Sequence, residues 1–377
     1  MKKYISIITG VFCFLCSLTT IAQSSLKRSK QQHRFHYLQA NVHMGYMFED
    51  DESTFDLATT GPKNRLVYQY LAKNQRLLQK GYVRSVALKS FRSRISLDMV
   101  GSLHDNSSIN YQLKLQNVGL SFGTKWDRTS FFVGYGNIKL GHNPKIDPVT
   151  AFIANSLSLD LGFTQDLGVS FKTALSEKYD VEASLYTGGL LRGALLTYSP
   201  NLTEAEQMGV DTFEFLDNDY KPSALATARI GSPLFKSFEY GIIGMAGKVA
   251  TATEEKYLAR LGMDVVKKIG EKFKVEAQVH GGPTKYVDAL DSVDLALQHN
   301  IEYYLKGMFI FNTSNAILFS YPENGGDTAS KGRLVNSISY VISPHTRVRL
   351  NHFYNYGNAI NKNSGITFQL VTGIGRR

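Results

Sequence analysis

The sequence predicts an all-β fold, an antiparallel β-barrel that crosses a membrane, and three observations support this prediction. First, apolar and polar residues alternate along many segments after residue 23, so each segment has one apolar and one polar face. Second, many of these segments are nine to thirteen residues long, and a tilted strand needs about 9 to 11 residues to cross a bilayer. Third, the mean hydropathy is −0.18 and the N-terminus holds the one long apolar run, which argues against a helical membrane protein.

The alternation defines fifteen candidate strands. They lie at 38–48, 82–100, 108–123, 129–137, 167–175, 179–188, 223–231, 238–248, 256–267, 273–280, 300–309, 315–321, 333–342, 347–355 and 364–374. Bacterial single-chain barrels have an even number of strands, so we expect sixteen, with fourteen and eighteen left open. Residues 64–72 and 192–198 are the candidates for the missing strand, although 64–80 also has the apolar spacing of a helix. A slip of the apolar phase predicts a β-bulge at Gln116–Asn117.

The connections between strands fall into two classes. Tight turns are expected at 176–178 and 343–345, and long polar loops at 49–63, 188–222 and 282–295. Short turns at one end and long loops at the other are typical of outer-membrane barrels. A soluble sandwich is the alternative, but its shared core would have to accommodate many charged inward faces, whereas a barrel turns them toward a water-filled lumen.

The first 22 residues have the features of a signal peptide. Lys2 and Lys3 precede an apolar stretch, and Thr20-Ile21-Ala22 offers small residues for cleavage before residue 23. A transmembrane anchor is the alternative, but the stretch is short for one. We therefore expect a signal peptide at 1–22, a basic periplasmic linker at 23–35 and the barrel at 36–377. Both cysteines of the chain lie in the signal, and its removal lowers the net charge from +10 to +8.

One stretch, 117–189, carries a family resemblance. It reads NVGLSFGTKWDRTSFFVGYGNIKLGHNP, then a linker, then TQDLGVSFKTALSEKYDVEASLYTGG. This pattern resembles the phosphate-selective porin O and P family, which implies a barrel that passes anions through an outer membrane. Two features depart from the family: Gln165 stands where the family has Arg before the Asp, and the chain ends on Arg377 instead of an aromatic residue.

If the apolar faces meet lipid, the polar faces line the lumen. The basic pore-lining candidates are Arg92, Arg94, Lys172, Arg229, Arg260, Lys274, Lys306, Arg347 and Arg349. Basic rings favour anions because a charge beside a narrow pore acts on every passing ion. Alternatively, these charges pair with acidic residues on neighbouring strands, which weakens any selectivity.

A constriction is expected in segment 138–166, whose apolar middle at 149–159 can fold into the lumen. It holds the candidates Lys139, His142, Lys145 and Asp147, together with Asp160. A loop folded inward would narrow a sixteen-strand channel. The alternative is an exposed loop or one that contacts another subunit of a trimer.

The sequence thus predicts a porin in the outer membrane of a Gram-negative bacterium, with weak anion preference. Its partners would be membrane lipid, small hydrophilic solutes and possible copies of itself in a homotrimer; no nucleic-acid partner, cofactor, metal or catalytic residue is expected. One alternative is a barrel that binds a carbohydrate or an apolar ligand. Another is a hydrolase at the barrel rim that uses one of the histidines on or near strands, His280, His299 or His352.

Overall fold

The computed structural model describes most of the chain after residue 31. The described residues are 32–49, 52–57, 64–74, 86–102, 110–124, 129–141, 155–189, 196–198, 223–233, 238–250, 255–287, 289–305, 308–343, 346–360 and 362–375. They form one short helix, α1 (Ser156–Leu161), and eighteen strands. The strands are β1 (Gln32–Glu49), β2 (Glu52–Leu57), β3 (Asn64–Asn74), β4 (Val86–Ser102), β5 (Asn110–Thr124), β6 (Thr129–Asn137), β7 (Gln165–Ala174), β8 (Asp180–Tyr186), β9 (Leu196–Tyr198), β10 (Ala224–Gly231), β11 (Phe238–Ala250), β12 (Glu255–Ile269), β13 (Phe273–Tyr286), β14 (Ser292–Leu305), β15 (Phe309–Pro322), β16 (Ala329–Ser343), β17 (Thr346–Gly357) and β18 (Asn363–Gly375).

Sixteen of the described strands form a closed series of antiparallel pairs. Each strand from β3 to β8 pairs with the next, β8 pairs with β10, and the series then runs from β10 to β18. β1 pairs with β3 on one side and with β18 on the other. The predicted count of sixteen strands is therefore confirmed, and closure leaves no long unpaired edge for lipid to meet.

The two remaining strands cover edges where a main strand stops early. β6 ends at Asn137 while β5 continues, and the three residues of β9 pair with Leu113–Leu115 of β5 instead. In the same way, β2 pairs with the end of β1 and with Gly101 and Ser102 of β4, beyond the start of β3. Backbone groups that would lack a partner are thereby satisfied within the sheet.

The connections make the two ends of the barrel different. At the turn end, where β1 starts and β18 ends, strands join across short gaps such as 270–272 and 344–345. At the loop end, 138–164 and 187–223 separate their flanking strands. The prediction of a long loop at 282–295 was wrong: β13 continues to Tyr286 and β14 begins at Ser292.

The two faces of the strands differ in burial. On β12, Leu261 is 70% exposed and Met263 is 62% exposed, whereas Arg260 and Asp264, which flank them in the sequence, are buried. Because α1 contacts the buried face, that face points into the barrel and the exposed apolar face points outward. This alternation repeats from β10 to β18.

Aromatic residues gather on the outward face near the turn end. The ring centroid of Tyr303 lies 4.6 Å from that of Phe273 and 6.1 Å from that of Phe311, and Phe309 lies 5.1 Å from Tyr340. Such girdles mark the level of the lipid headgroups in outer-membrane barrels. In the described part of the chain, no helix has the length and apolar character to cross a membrane.

The strands agree with two local predictions, and the first strand begins earlier than expected. β3 shows that 64–74 is a strand and not the start of a helix. The pairing of β4 with β5 passes from Arg94–Asn117 to Ile95–Leu115, so Gln116 is the extra residue of the expected bulge. β1 begins at Gln32, before the expected barrel start at 36, while the expected signal peptide and most of the expected linker lie outside the described residues.

Candidate functional site

The described parts of the segment between β6 and β7 lie inside the barrel. Ile138 and Leu140 at its start, and Leu157, Leu161 and Phe163 near its end, are at most 5% exposed. They form one apolar cluster with inward residues of the loop-end half of the wall: Tyr186, Leu225, Ile243, Met245, Val249 and Leu258. Burial of this apolar surface holds the segment in the lumen, because the wall itself is apolar at this level.

Helix α1 is short, and its ends are capped within the segment. The side chain of Asn155 accepts hydrogen bonds from the backbone N–H groups of Leu157 and Ser158, at 2.9 and 3.3 Å. Gly162 ends the helix with φ 81°, a left-handed conformation that glycine adopts without steric cost. Six residues form a stable turn here because the barrel wall holds them, since an isolated helix of this length is unstable in water.

The two sides of α1 contact different parts of the wall. The backbone N–H and the hydroxyl of Ser156 donate to Oε1 of Gln298 on β14, at 2.8 and 3.0 Å. Leu159 packs against a second buried apolar cluster formed by Ala316, Val335 and Phe353 of β15 to β17. Ser158 remains exposed, so α1 keeps one solvent-facing side inside the barrel.

A buried ion pair anchors the end of α1. Asp160 is 1% exposed, and Arg260 of β12 is 4% exposed. The guanidinium binds both carboxylate oxygens of Asp160, with Nε 3.0 Å from Oδ2 and Nη2 2.8 Å from Oδ1. Lys256 of β12 donates to the backbone carbonyl of Asp160 at 2.9 Å. This bidentate geometry is the strongest that a guanidinium and a carboxylate form.

Arg260 also forms hydrogen bonds with residues of the neighbouring strands β13 and β14. Its Nη2 donates to Thr284 and to Oδ2 of Asp294, both at 2.7 Å, and its Nη1 donates to the carbonyls of Gly282 and Pro283 at 2.9 Å. Pro283 has no N–H for the ladder with β12, and the pairing of β12 with β13 is interrupted at this level. The interruption leaves carbonyl groups that Arg260 satisfies.

His280 of β13 lies beside the same carboxylate. Its Nε2 is 3.3 Å from Oδ2 of Asp160, and the ring is 1% exposed. Burial alone would raise the pKa of Asp160, but the contacts from His280 and Arg260 outweigh burial and hold that pKa well below its usual value. Asp160 therefore stays charged through mildly acidic pH.

The start of the segment is fixed by a second set of contacts. The amide of Lys139 donates to the Tyr186 hydroxyl at 2.9 Å, its carbonyl accepts from Thr227 at 2.7 Å, and its ammonium lies 2.7 Å from Glu182. Gly141 has φ 59°, and a Cβ there would lie 2.6 Å from Oε1 of Gln278. A side chain at this position would therefore require the Gln278 amide to move, in addition to the strain of a positive φ.

Six of the nine basic residues predicted to line the lumen occupy inward positions of described strands: Lys172, Arg229, Arg260, Lys274, Arg347 and Arg349. β4 contains Arg92 and Arg94, but the structure describes only their backbone, and Lys306, His142, Lys145 and Asp147 lie outside the described residues.

Several of these charges are paired with carboxylates. Arg229 makes a buried bidentate contact with Asp264, at 2.8 and 3.1 Å, and Lys172 lies 3.1 Å from Asp180. Lys274 pairs with Glu276 on the same strand. Arg349 instead donates to Ser339 at 2.7 Å and to Gln369 at 3.0 Å.

The lumen also contains residues that the sequence analysis did not single out. Asp294, Gln298, Thr284 and Lys256 complete the contacts to α1 and Arg260, and each sits at an inward position of β12, β13 or β14. The alternation of apolar and polar residues predicts that these four side chains face inward, but it does not predict their contacts with α1 and Arg260. His299 and His352, considered for a rim hydrolase, lie exposed on outward faces. Among the described residues, no cluster of His, Cys, Asp and Glu has the arrangement of a metal site.

Comparisons with known proteins agree with this architecture. No protein-family model matches the chain. No curated protein matches it either. Among solved structures, it is similar to an anion-selective porin from Comamonas acidovorans, with a TM-score of 0.58 and 8% identity, covering 91% of this chain and 100% of that one. It is also similar to outer-membrane expressed OmpT of Vibrio cholerae, with a TM-score of 0.57 and 10% identity, covering 92% of this chain and 99% of that one. The outer membrane channel DcaP of Acinetobacter baumannii is similar with a TM-score of 0.53 and 13% identity, and the match covers 92% of this chain and 99% of that one. The fold is therefore that of outer-membrane β-barrels.

Proposed function

We propose that the chain is an outer-membrane porin through which small hydrophilic solutes diffuse passively. The observation that carries this proposal is the segment anchored inside a polar lumen, at Lys139 and at Asp160, within a sixteen-strand barrel whose outside is apolar. A segment in this position narrows the lumen, and Ser158 on it remains exposed. The similar structures described as porins and channels support the same role.

The proposal includes a weak preference for anions. Its support is the net charge of +8 that remains if residues 1–22 are removed, and the inward step of Arg347 and Arg349 on β17. Arg229, Lys172 and Lys274 pair with carboxylates, so their positive charges contribute less to the anion preference. Selectivity for phosphate, which the family resemblance implies, is the most specific form of this proposal.

Planar-bilayer recording with a salt gradient tests both parts. The purified mature protein should insert as channels whose reversal potential has the sign of anion preference. R347Q/R349Q protein should shift that potential toward cations, whereas K267Q, a change of an exposed lysine at the turn end, should not. Failure to form channels would refute the porin proposal, and cation preference of the unaltered protein would refute the selectivity.

A second candidate is a barrel that favours an uncharged, hydroxylated solute such as a carbohydrate. Asn312, Ser337, Asn351 and Thr367 lie in one register row across β15 to β18, all on the inward face. Amides and hydroxyls are the groups that hydrogen-bond sugars, and Phe353 lies on the same wall. Reversible block of the ion current by a neutral sugar, lost in N312L/N351L protein, would favour this candidate.

The fold and the predicted signal also bear on location and assembly. We infer export through cleavage after residue 22 and insertion as a homotrimer, as in the trimer form of OmpT of Vibrio cholerae. Cross-linking of the protein in outer-membrane fractions would show a band at three times the monomer mass, and a monomer alone would contradict the trimer.

A further inference from the structure

Polar side chains interrupt the apolar outward face of four neighbouring strands. The residues that form this polar patch adjoin one another on β14 to β17: His299, Thr313, Asn315, Asn336 and His352. His299 of β14 is the register partner of Asn315 on β15. Asn336 of β16 pairs with Thr313 of β15 on one side and with His352 of β17 on the other. The polar patch is therefore continuous across the four strands.

The polar patch lies at the middle of the membrane-spanning wall. On β15, Asn315 is midway between Phe311, whose ring belongs to the aromatic girdle near the turn end, and Phe319 near the loop end. Phe319 stacks on Tyr321 with ring centroids 6.4 Å apart, so aromatic rings are also present near the loop end. Aromatic girdles flank the band of an outer-membrane barrel that meets hydrocarbon. The patch is therefore at the depth where water and lipid headgroups are absent.

Several donors of the polar patch have no partner within the described part of the chain. The side-chain oxygen of Asn336 accepts from the Thr313 hydroxyl at 2.8 Å, and that of Asn315 accepts from the Tyr356 hydroxyl at 2.7 Å. The NH2 groups of both asparagines and the imidazoles of both patch histidines make no hydrogen bond to a described residue. Hydrocarbon offers no partner either, so contact with lipid would leave these groups unsatisfied at a cost in free energy.

The strands on either side keep apolar side chains on the outward face at this depth. Leu261 of β12, Val279 of β13 and Phe368 of β18 occupy the corresponding positions near the middle of their strands. These residues suit hydrocarbon, whereas the polar patch does not. The restriction of polar residues to β14 to β17 therefore indicates that protein covers this part of the wall.

The chemistry of the polar patch fits a second copy of this chain. Amides and imidazoles both donate and accept hydrogen bonds, so each can pair with the same side chain of another copy. The patch contains no carboxylate, lysine or arginine, so copies brought together do not repel one another. At about 4.8 Å per strand and an apolar band about 25 Å tall, the four strands present roughly 500 Å². Apolar residues of the adjoining strands would supply the rest of the about 800 Å² per partner in a standard interface.

We propose that the outward face of β14 to β17 is the surface through which the subunits of the homotrimer contact one another, with the polar patch toward the three-fold axis. This inference rests on the proposed homotrimeric porin and names the surface that assembles it. Closed cyclic symmetry brings the same residues of all copies together around one axis. The amides and imidazoles gain partners there, while the apolar strands on the far side of each barrel remain in lipid.

Apolar replacement of the polar patch provides the first test, because lipid contact predicts a more stable barrel with unchanged assembly. In N336L/H352L protein, the trimer-to-monomer ratio measured by amine cross-linking in vesicles should instead fall about ten-fold. T129V/T173V protein, which removes a hydrogen-bonded hydroxyl pair from β6 and β7 on the opposite side of the barrel, should keep the ratio of the unaltered protein. An unchanged ratio in N336L/H352L protein, or an unaltered protein that is monomeric, would overturn the inference. Channels formed by such monomers would leave the porin function intact, whereas absence of channels in every preparation would refute the porin function.

Tryptophan fluorescence measures what covers the face, and it remains decisive should N336L/H352L protein fail to fold. The chain has a single tryptophan, so W126F protein provides a background without native signal. Ile338, next to the polar patch on β16, and Val169, on β7 across the barrel, are each 46% exposed in the single subunit. In vesicles of lipid brominated at the middle of the acyl chains, V169W should lose most of its fluorescence and I338W should keep most of it. Equal quenching of the two would show that lipid meets both faces and would overturn the inference.

Discussion

Replacement of Asp160 by Asn tests whether the ion pair at the end of α1 sets the bore of the channel. The substitution keeps the size of the side chain and removes the charge that Arg260 and His280 face. Removal of one partner from a buried ion pair costs about 3 to 5 kcal/mol. Because Arg260 keeps Asp294, Thr284 and two carbonyl groups as acceptors, the lower figure of about 3 kcal/mol applies here.

This loss of free energy weakens the docking of α1 on the barrel wall and leaves the barrel itself largely unaffected. At 1.4 kcal/mol for each factor of ten, the docking equilibrium of the helix weakens roughly 100-fold. The antiparallel ladders do not involve Asp160, so the barrel should still form. We expect D160N channels to show a larger mean conductance and more current noise than the unaltered protein, because the helix leaves the wall for part of the time.

Single-channel recording at neutral pH measures this effect, with E271Q as the matched change of a carboxylate to an amide at an exposed turn. E271Q channels should be indistinguishable from the unaltered ones. If D160N channels have the same conductance and noise as well, α1 does not limit the current and the reasoning fails. The low pKa of Asp160 means that its contribution is present above its ordinary pKa and is lost only as pH falls through the lowered value. An increase in conductance of the unaltered protein between pH 7 and about 5 would contradict this assignment as well.

Three further predictions concern the segment, the wall and the lipid face. G141A protein should lose more stability of the docked segment than G162A, since both residues have positive φ but only Gly141 lacks room for a Cβ; equal current noise in the two variants would argue against the close approach. R229M leaves the carboxylate of Asp264 buried without its bidentate partner, so the free energy of unfolding in detergent should fall by about 3 kcal/mol, and an unchanged urea midpoint would contradict this. Leu261 is 70% exposed on the outward face, so L261R should destabilise the barrel in lipid vesicles by about 2 to 4 kcal/mol; an unchanged stability would mean that this face does not meet lipid.

The sequence predicted the faces and the number of the strands because both follow from a local period of two. The bulge at Gln116 was visible for the same reason, since one extra residue reverses which side chains face outward. The prediction of a long loop at 282–295 was wrong. Gly281, Gly282 and Pro283 have the composition of a turn, although they lie within a strand. The strand continues through them because Arg260 occupies the carbonyls exposed where Pro283 interrupts the ladder.

The partners of the lumen charges could not be read from the sequence in the same way. Alternation shows that Arg229 and Arg260 point inward, but it does not give the heights at which staggered strands place them. Arg229 finds Asp264 two strands away in the sheet, and Arg260 finds Asp160 on the in-folded helix, 100 residues earlier in the chain. The choice of partner depends on strand stagger and on the path of the segment, which are properties of the closed barrel.

Placing the anchoring charges at inward positions has a physical consequence for how the lumen functions. A carboxylate on a loop in open water would gain little from a nearby arginine, because solvent screens exposed pairs. Asp160 and Arg260 are each at most 4% exposed, so the wall and the apolar cluster around Leu157 and Leu161 keep water away from their contact. The apolar burial thereby makes the ion pair effective, and the ion pair fixes the register of a helix that is too short to hold its own conformation. The two kinds of contact therefore depend on each other, and loss of either one should release the helix from the wall.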